Sequence, residues 1–343
     1  MSRLIEILEH PHTKIAIASL AAVAVVGGVV YYMKKNELLF FKQRPKNWIK
    51  VGNLANDLWI FPIKSCGGIP LKEIDCNMLG PHKGRFLRDR VFMVVRSSNN
   101  EFTTARTYPK MILIKPTIEN NIMSLNAPGM DEIKIDIDKL YESKNKLIAT
   151  VWKDKAPVVD CGDEVAKWFS QYISDKKDGF RLVFYPSNEP KPEITKRVKM
   201  FKAAERKDTG SLQDETSYMM MNMASFDDLN TKLEQPVGSL QFRPNFVVTG
   251  TREQLKPWDE DNWKFVKIGN DAVFQKVEPC LRCYMTIIDP ETGERNKKEE
   301  PLKTLKSFRI FKNINKQSPL FGIHLGLKST GTIRSGDAVY VSY

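Results

Sequence analysis

Cysteine and histidine are scarce in this chain. Five cysteines and four histidines (His10, His12, His82, His324) are spread over 343 residues. An odd, sparse cysteine set excludes a disulfide scaffold and fits a reducing compartment. The histidines are too few and too scattered for a histidine-rich metal site. The sequence also lacks a Walker A loop, a GxGxxG before a helix, a GxSxG elbow and an HExxH helix, which removes the nucleotide-loop, serine-hydrolase and zincin classes. There is no solenoid period, heptad array or collagen repeat. Positive charge, by contrast, is abundant: 53 Lys and Arg against 41 Asp and Glu leave a net charge of +12. That excess favours anionic partners such as phosphates, nucleic acid or an acidic membrane face. The lysine-rich stretch 191–207 carries Phe201 but no interleaved aromatics, so it reads as a solvated loop and nucleic acid is not expected as a partner. An apolar share of 42% is that of an ordinary globular protein, and the length suits two domains or one large one.

The amino terminus reads as an address. Ile15 to Met33 runs 19 residues without a charge, long enough as a helix to span about 28 Å, the thickness of a hydrocarbon core. Tyr31 and Tyr32 sit at one end, where aromatic rings favour the interface. Ala22-Val23-Ala24 imitates a signal-peptide cleavage site, but the apolar run continues past it to Met33. An uncleaved anchor is the expectation. Arg3 and Lys14 precede it, whereas Lys34, Lys35, Lys42, Arg44, Lys46 and Lys50 follow, which directs the carboxy-terminal bulk to the cytosol. Charge and length leave the mitochondrial outer membrane and the endoplasmic reticulum both open.

Beyond a tail (1–14), the anchor (15–33) and a polar linker (34–50), the chain divides into regions 51–180 and 181–343, the boundary falling near 180–215. Short strands are expected at 57–64, 69–76, 91–95, 111–114, 149–152, 246–248, 265–268, 272–277, 284–288 and 338–341. Val165, Trp168, Phe169, Tyr172 and Ile173 repeat at helical spacing, predicting a helix over 163–174 capped by Asp160 or Asp163. A second helix is expected over 225–233, where Ser225 and Asp228 resemble a capping box. Pro186 to Gly210 is polar and basic and reads as a long surface loop, a candidate lid. The fold class is α+β, mostly antiparallel β and barrel-like rather than a wound parallel sheet.

Pro279-Cys280-Leu281-Arg282-Cys283 is the sharpest local motif. Structural zinc would need two further ligands at metal spacing, which Cys66, Cys76 and Cys161 do not provide. A thioredoxin-type dithiol would open a helix, yet a β-prone run follows. Two readings remain open: a pair of ordinary buried thiols, or a soft-metal thiolate beside the Arg282 cation. Cations also recur at strand ends beside turns, in Lys64-Ser65, Arg88-Asp89-Arg90, Thr104-Ala105-Arg106 and Arg243-Pro244-Asn245. Such ends suit an anion, although any single one also reads as a solvated surface charge.

Taken together, Trp59-Ile-Phe-Pro-Ile-Lys-Ser-Cys66, Leu87-Arg-Asp-Arg90, Thr104-Ala-Arg106, Phe242-Arg-Pro-Asn245, Pro279-Cys-Leu-Arg-Cys283 and Gly331-Thr-Ile-Arg-Ser-Gly-Asp-Ala-Val-Tyr340 resemble the MOSC-domain family with an N-terminal MOSC β-barrel region. The likeness covers about residues 50–343 and extends to the anchored, amidoxime-reducing branch. It implies an N-terminal MOSC β-barrel-like region over 51–180 and a cofactor-binding MOSC β-barrel domain over 181–343, behind the transmembrane helix. It also implies a molybdenum-molybdopterin cofactor with Cys283 as catalytic residue and metal ligand. Cofactor-binding roles carry over to Lys64, Ser65, Arg90, Arg243, Asn245 and Arg282, and to Thr216, Ser217 and Asn222. At the last three the sequence departs from the family, because Asp214-Glu-Thr-Ser-Tyr-Met-Met-Met replaces a proline-containing apolar stretch. The implied reaction is reduction of N-hydroxylated compounds to amines or amidines, with nitrite a further acceptor, at the mitochondrial outer membrane. Electrons would come from an NADH-dependent flavin reductase through a b-type cytochrome. A cofactor or sulfur carrier without turnover of its own is the competing reading.

Overall fold

The computed structural model describes residues 45–152, 154–190 and 205–343. The expected tail, the anchor at 15–33, most of the linker and much of the 186–210 loop lie outside them. Among the described residues no helix is long and apolar enough to cross a membrane.

Seven strands close into a barrel. Around its wall they run Ile49–Leu54, Phe246–Thr249, Tyr218–Asn222, Leu320–Ser329, Ala272–Leu281, Phe265–Ile268 and Ala338–Ser342, which pairs back onto the first. All neighbours are antiparallel except Tyr218–Asn222 and Phe246–Thr249. That parallel pair requires a crossover, and the helix Met223–Asn230 lies in it. Alternation along these strands fills the barrel with Val51, Tyr218, Met220, Phe246, Val266, Phe274, Ile323 and Val341. Ile49–Leu54 overlaps the start of the N-terminal region, so the barrel closes on a strand from the far end of the chain.

Residues 58–184, joined by Gly331–Arg334, build the remaining sheets, one of which runs Lys146–Val151, Asp154–Asp160, Phe180–Phe184 and Phe92–Arg96 in that order. The helix Asp163–Ser174 covers a separate core through Val165, Trp168, Phe169, Tyr172 and Ile173, each such burial contributing about 1.5–3 kcal/mol. The two regions interlock: Gly331–Arg334 pairs with Glu73–Asn77 in a four-stranded sheet.

Four local expectations are corrected. Of the strand expected at 111–114, Met111 to Leu113 lie in a 3-10 helix, Pro109–Leu113, because Pro109 sets the first turn, and Ile114 is its extended C-cap. Tyr284–Ile287 is also 3-10, starting at Cys283, whose carbonyl accepts from Thr286 N at 3.0 Å and Thr286 Oγ1 at 2.9 Å. Neither Asp160 nor Asp163 caps the helix at 163; its N-cap is Gly162, and Asp160 instead accepts from Gly162 N at 2.8 Å. The next helix is Met223–Asn230, capped by Asn222, whose side chain accepts from Ala224 N at 2.9 Å. Ser225 is drawn elsewhere, onto Glu260.

Glu260 is fully buried. Its Oε2 accepts from Ser225 Oγ at 2.7 Å and Asn222 Nδ2 at 2.9 Å, while Oε1 has no partner. Burial pushes its carboxyl pKa from 4.5 up to about 7, with Asp261 adding to the rise and the Ser225 and Asn222 hydrogen bonds opposing it. The folded state therefore holds this proton more tightly than the unfolded state. The stability it contributes is complete below pH 4.5 and is lost as pH rises toward 7. In Glu260→Gln, thermal melts across that window should lose a pH dependence worth up to about 3 kcal/mol. Parallel wild-type and variant profiles would contradict this assignment.

Candidate functional site

A cleft of about 380 Å³ lies between the barrel and the N-terminal sheets. Its lining brings together Lys64, Ser65, Arg90, Thr216, Arg243, Asn245, Arg282 and Cys283, eight of the ten positions expected from the sequence. Ser217 and Asn222 are not among its lining residues. Ser217 Oγ donates to Met78 O at 2.7 Å, and Asn222 is committed to its helix cap and to Glu260. Both polar groups fasten loops to the barrel instead.

Local backbone geometry explains how the lining residues reach one place. Ser65, Arg90, Trp152 and Arg243 have φ of 70°, 49°, 58° and 54°, so four of the nine non-glycine residues in the left-handed region among the described residues line this cleft. Strain of that kind costs about 1–3 kcal/mol per residue and persists where surrounding contacts enforce it. One enforcing group is Asp89, whose carboxylate is buried. It accepts from Phe61 N at 2.9 Å, Asn245 Nδ2 at 3.2 Å and Gln213 Nε2 at 3.4 Å, and pairs with the Arg90 guanidinium. Asn245 completes the link: its Oδ1 accepts from Met219 N at 3.0 Å and its Nδ2 also donates to Trp59 O at 3.1 Å. Its amide is thus fully used in joining the barrel to the N-terminal region.

Among the described residues the cleft carries five cations (Lys64, Arg90, Arg106, Arg243, Arg282) against the carboxylates Asp214 and Glu215. Not all five are equally available. Lys64 Nζ donates to Asp214 Oδ1 at 2.6 Å and Leu212 O at 2.8 Å. Burial raises the Asp214 pKa, but Lys64, Arg106 and the Trp152 indole together override that and hold the carboxyl well below its ordinary value. Arg282 is oriented by Phe321 O at 2.8 Å and Phe242 O at 3.0 Å. Gly322 leaves room for it: at φ +72°, a Cβ there would stand 3.3 Å from Arg282 Nη2 and 2.6 Å from Met219 Cε. Arg243 Nη1 donates to Cys66 O at 2.6 Å, and its guanidinium lies over Phe61 at 4.2 Å, with Arg90 at 5.0 Å from the same ring. Burial, helped by repulsion from Arg90, brings the Arg243 pKa down to about 9. Its Nη2 is the buried arginine nitrogen without a partner among the described residues.

The two cysteines of the motif differ. Cys280 is buried beside Met219, Phe242 and Phe321, and burial raises its thiol pKa. Cys283 is half-buried, leaves the end of the strand Ala272–Leu281 and lines the cleft. No group of three His, Cys, Asp or Glu able to hold a metal occurs among the described residues, so a metal here needs ligands from a cofactor besides Cys283. A buried guanidinium nitrogen awaiting an acceptor, flanked by further cations and one accessible thiolate donor, fits an anionic, sulfur-ligated metal cofactor.

The sequence assigned no role to Trp152, Gln213 or Asp214, and offered Arg106 only as one of several cations suited to an anion. Arg106 had a signal, in Thr104-Ala-Arg106. Asp214 was visible as a departure from the family pattern. Trp152 had none, because its position depends on a left-handed backbone at a strand end.

Removing the Asp89 carboxylate strips the half-buried Arg90 guanidinium, the Phe61 N–H and the side-chain amides of Asn245 and Gln213 of an acceptor. Asp89→Ala should therefore destabilise the fold by about 3–5 kcal/mol in denaturant titrations, and Asp89→Asn by less. A change under about 0.5 kcal/mol, typical of a surface position, would show that Asp89 does not organise the site.

Comparison with known proteins agrees with this architecture. Residues 52–176 match the MOSC N-terminal beta barrel domain, and residues 207–340 match the MOSC domain. Mitochondrial amidoxime reducing component 2 of Bos taurus is 37% identical over 295 residues, covering 85% of this chain and 83% of its own. The Rattus norvegicus protein of the same name is 35% identical, covering 96% and 93%. Mitochondrial amidoxime-reducing component 1 of Homo sapiens is 32% identical, covering 95% and 93%. This chain belongs to the MOSC-domain family, in the group of the mitochondrial amidoxime reducing components.

Proposed function

We propose that this protein is a molybdenum-cofactor oxidoreductase that reduces N-hydroxylated compounds, amidoximes and hydroxylamines, to amidines and amines. The observation that carries the reading is the half-buried Cys283 thiol on the same cleft as Arg243, whose buried Nη2 lacks an acceptor. The names of the relatives support the substrate class. In this reading Cys283 is the protein's ligand to the metal. Arg243, Arg90 and Arg282 supply charge-assisted donors for the phosphate and pterin edges of the cofactor, and Ser65 and Thr216 line the same space. When bound, the cofactor supplies the two-electron chemistry by which the substrate's N–O oxygen leaves as water.

The residues of the chain then have separable tasks. Asp89 and Asn245 set the positions of Arg90 and of the loop carrying Arg243. Lys64 and Asp214 neutralise one another, which leaves the arginines to meet an anion. Phe242 and Met219 give part of the lining an apolar character. We further place the chain at the mitochondrial outer membrane, anchored through residues 15–33 with its carboxy-terminal part facing the cytosol, and the relatives' names support the mitochondrial part of that address. Its electrons would arrive from an NADH-dependent flavin reductase through a b-type cytochrome, and nitrite is a further candidate acceptor.

The two cysteines separate this reading from its alternatives. Cys283→Ala should abolish benzamidoxime reduction by the reduced-viologen-driven enzyme while leaving far-UV circular dichroism unchanged. Cys280→Ala should retain most activity with a modest loss of stability from its packed position. Equal loss in both variants, or full activity in the Cys283 variant, contradicts the assignment. Stoichiometric cofactor with no turnover in the wild type would instead identify a carrier.

A further inference from the structure

Trp152 occupies a position that packing does not explain. It follows the strand Lys146–Val151, lines the cleft and is 53% exposed. Its backbone lies at φ +58°, a conformation that bulky residues rarely adopt without a compensating constraint. The ring is nonetheless held firmly. Its Nε1 donates to Asp214 Oδ1 at 2.8 Å, the Arg106 guanidinium lies over it at 4.6 Å, and Phe102 meets it at 5.0 Å with planes 60° apart. Asp214 is itself fixed by Lys64 at 2.6 Å. The indole is therefore exposed yet already ordered, and a ligand stacking on it would not have to freeze its rotamer.

The rest of the described lining mixes charged, amide and hydroxyl groups with the non-aromatic apolar side chains of Leu281, Met285 and Met219. It offers no second exposed ring for stacking, because Phe242 is only 3% exposed. Trp152 is thus the exposed aromatic surface of the cleft. We propose that Trp152 is a specificity-determining wall, stacking on the planar aryl or heteroaryl part of the substrate while the N-hydroxylated end points toward Cys283. This inference rests on the reductase reading for its substrate class.

The test uses full-length holoenzyme with reduced methyl viologen, comparing benzamidoxime with acetamidoxime, its methyl counterpart. An offset stack on a preset aromatic ring should be worth about tenfold in affinity. Trp152→Ala should raise KM for benzamidoxime about tenfold, with kcat and molybdenum content within twofold of wild type. KM for acetamidoxime should stay within twofold. Trp152→Phe should restore most of the aryl preference, which a purely structural role for the indole N–H would not do. Equal KM changes for both substrates, or none, would overturn the proposal. Calorimetric binding of benzamidine and acetamidine is measured in parallel. If the wild type reduces neither substrate, the reductase reading fails by itself. The binding arm then still decides on the wall: loss of benzamidine affinity in Trp152→Ala supports it, and equal affinities overturn it.

Discussion

One buried carboxylate, that of Asp89, organises the cleft. A charge taken out of water is tolerated only when its lone pairs are filled and an opposite charge lies close. Asp89 meets both conditions by drawing on separate parts of the chain: Phe61 N, the Arg90 guanidinium, Gln213 and Asn245. Asn245 precedes the barrel strand Phe246–Thr249 and also reaches Met219 on a neighbouring strand. The N-terminal region and the barrel are therefore joined at the point where the cleft forms. The left-handed backbone at Arg90 and Arg243 is a consequence, since both residues are pinned on either side of this junction.

The same arrangement leaves an electrostatic imbalance. Arg243 and Arg90 both lie against the Phe61 ring, and burial together with repulsion from Arg90 weakens the hold of Arg243 on its proton. The one buried carboxylate nearby is committed to fixing structure, and Asp214 is matched to Lys64. An incoming anion would supply the missing acceptor at Arg243 Nη2 and relieve that repulsion. The site is thus built with a deficit that a ligand fills, as expected where binding energy is wanted from a preorganised pocket.

Strand and helix identity were legible wherever side-chain periodicity governed the outcome. The helix Asp163–Ser174 and the strand Phe265–Ile268 match their expected bounds because each presents one apolar face to a core. Periodicity failed at Met111 and Tyr284, where short apolar runs are wound into 3-10 turns by Pro109 and by the Cys283 carbonyl. Capping failed for a related reason. A hydroxyl or carboxylate beside a helix start competes for tertiary partners, and Ser225 was won by a glutamate 35 residues away. For the site, cations beside turns were recognisable one by one, but their division of labour was not. That Lys64 is neutralised by Asp214, that Asn245 is spent on a junction and that Arg243 retains an unmatched nitrogen are facts of three-dimensional pairing.

In the proposed function, this cleft holds an anionic, thiolate-ligated molybdenum cofactor through Arg243. The most direct measurement is the molybdenum and pterin content per chain of wild-type protein and Arg243→Ala, both purified under the same conditions. A charge-assisted hydrogen bond to a buried anion contributes about 1.5–3 kcal/mol. Near-stoichiometric molybdenum and pterin are expected in the wild type, and substantially lower amounts of both in Arg243→Ala with the fold intact. Wild-type protein that carries no molybdenum under conditions of cofactor supply, or an Arg243→Ala variant that loads as fully as the wild type, would contradict it.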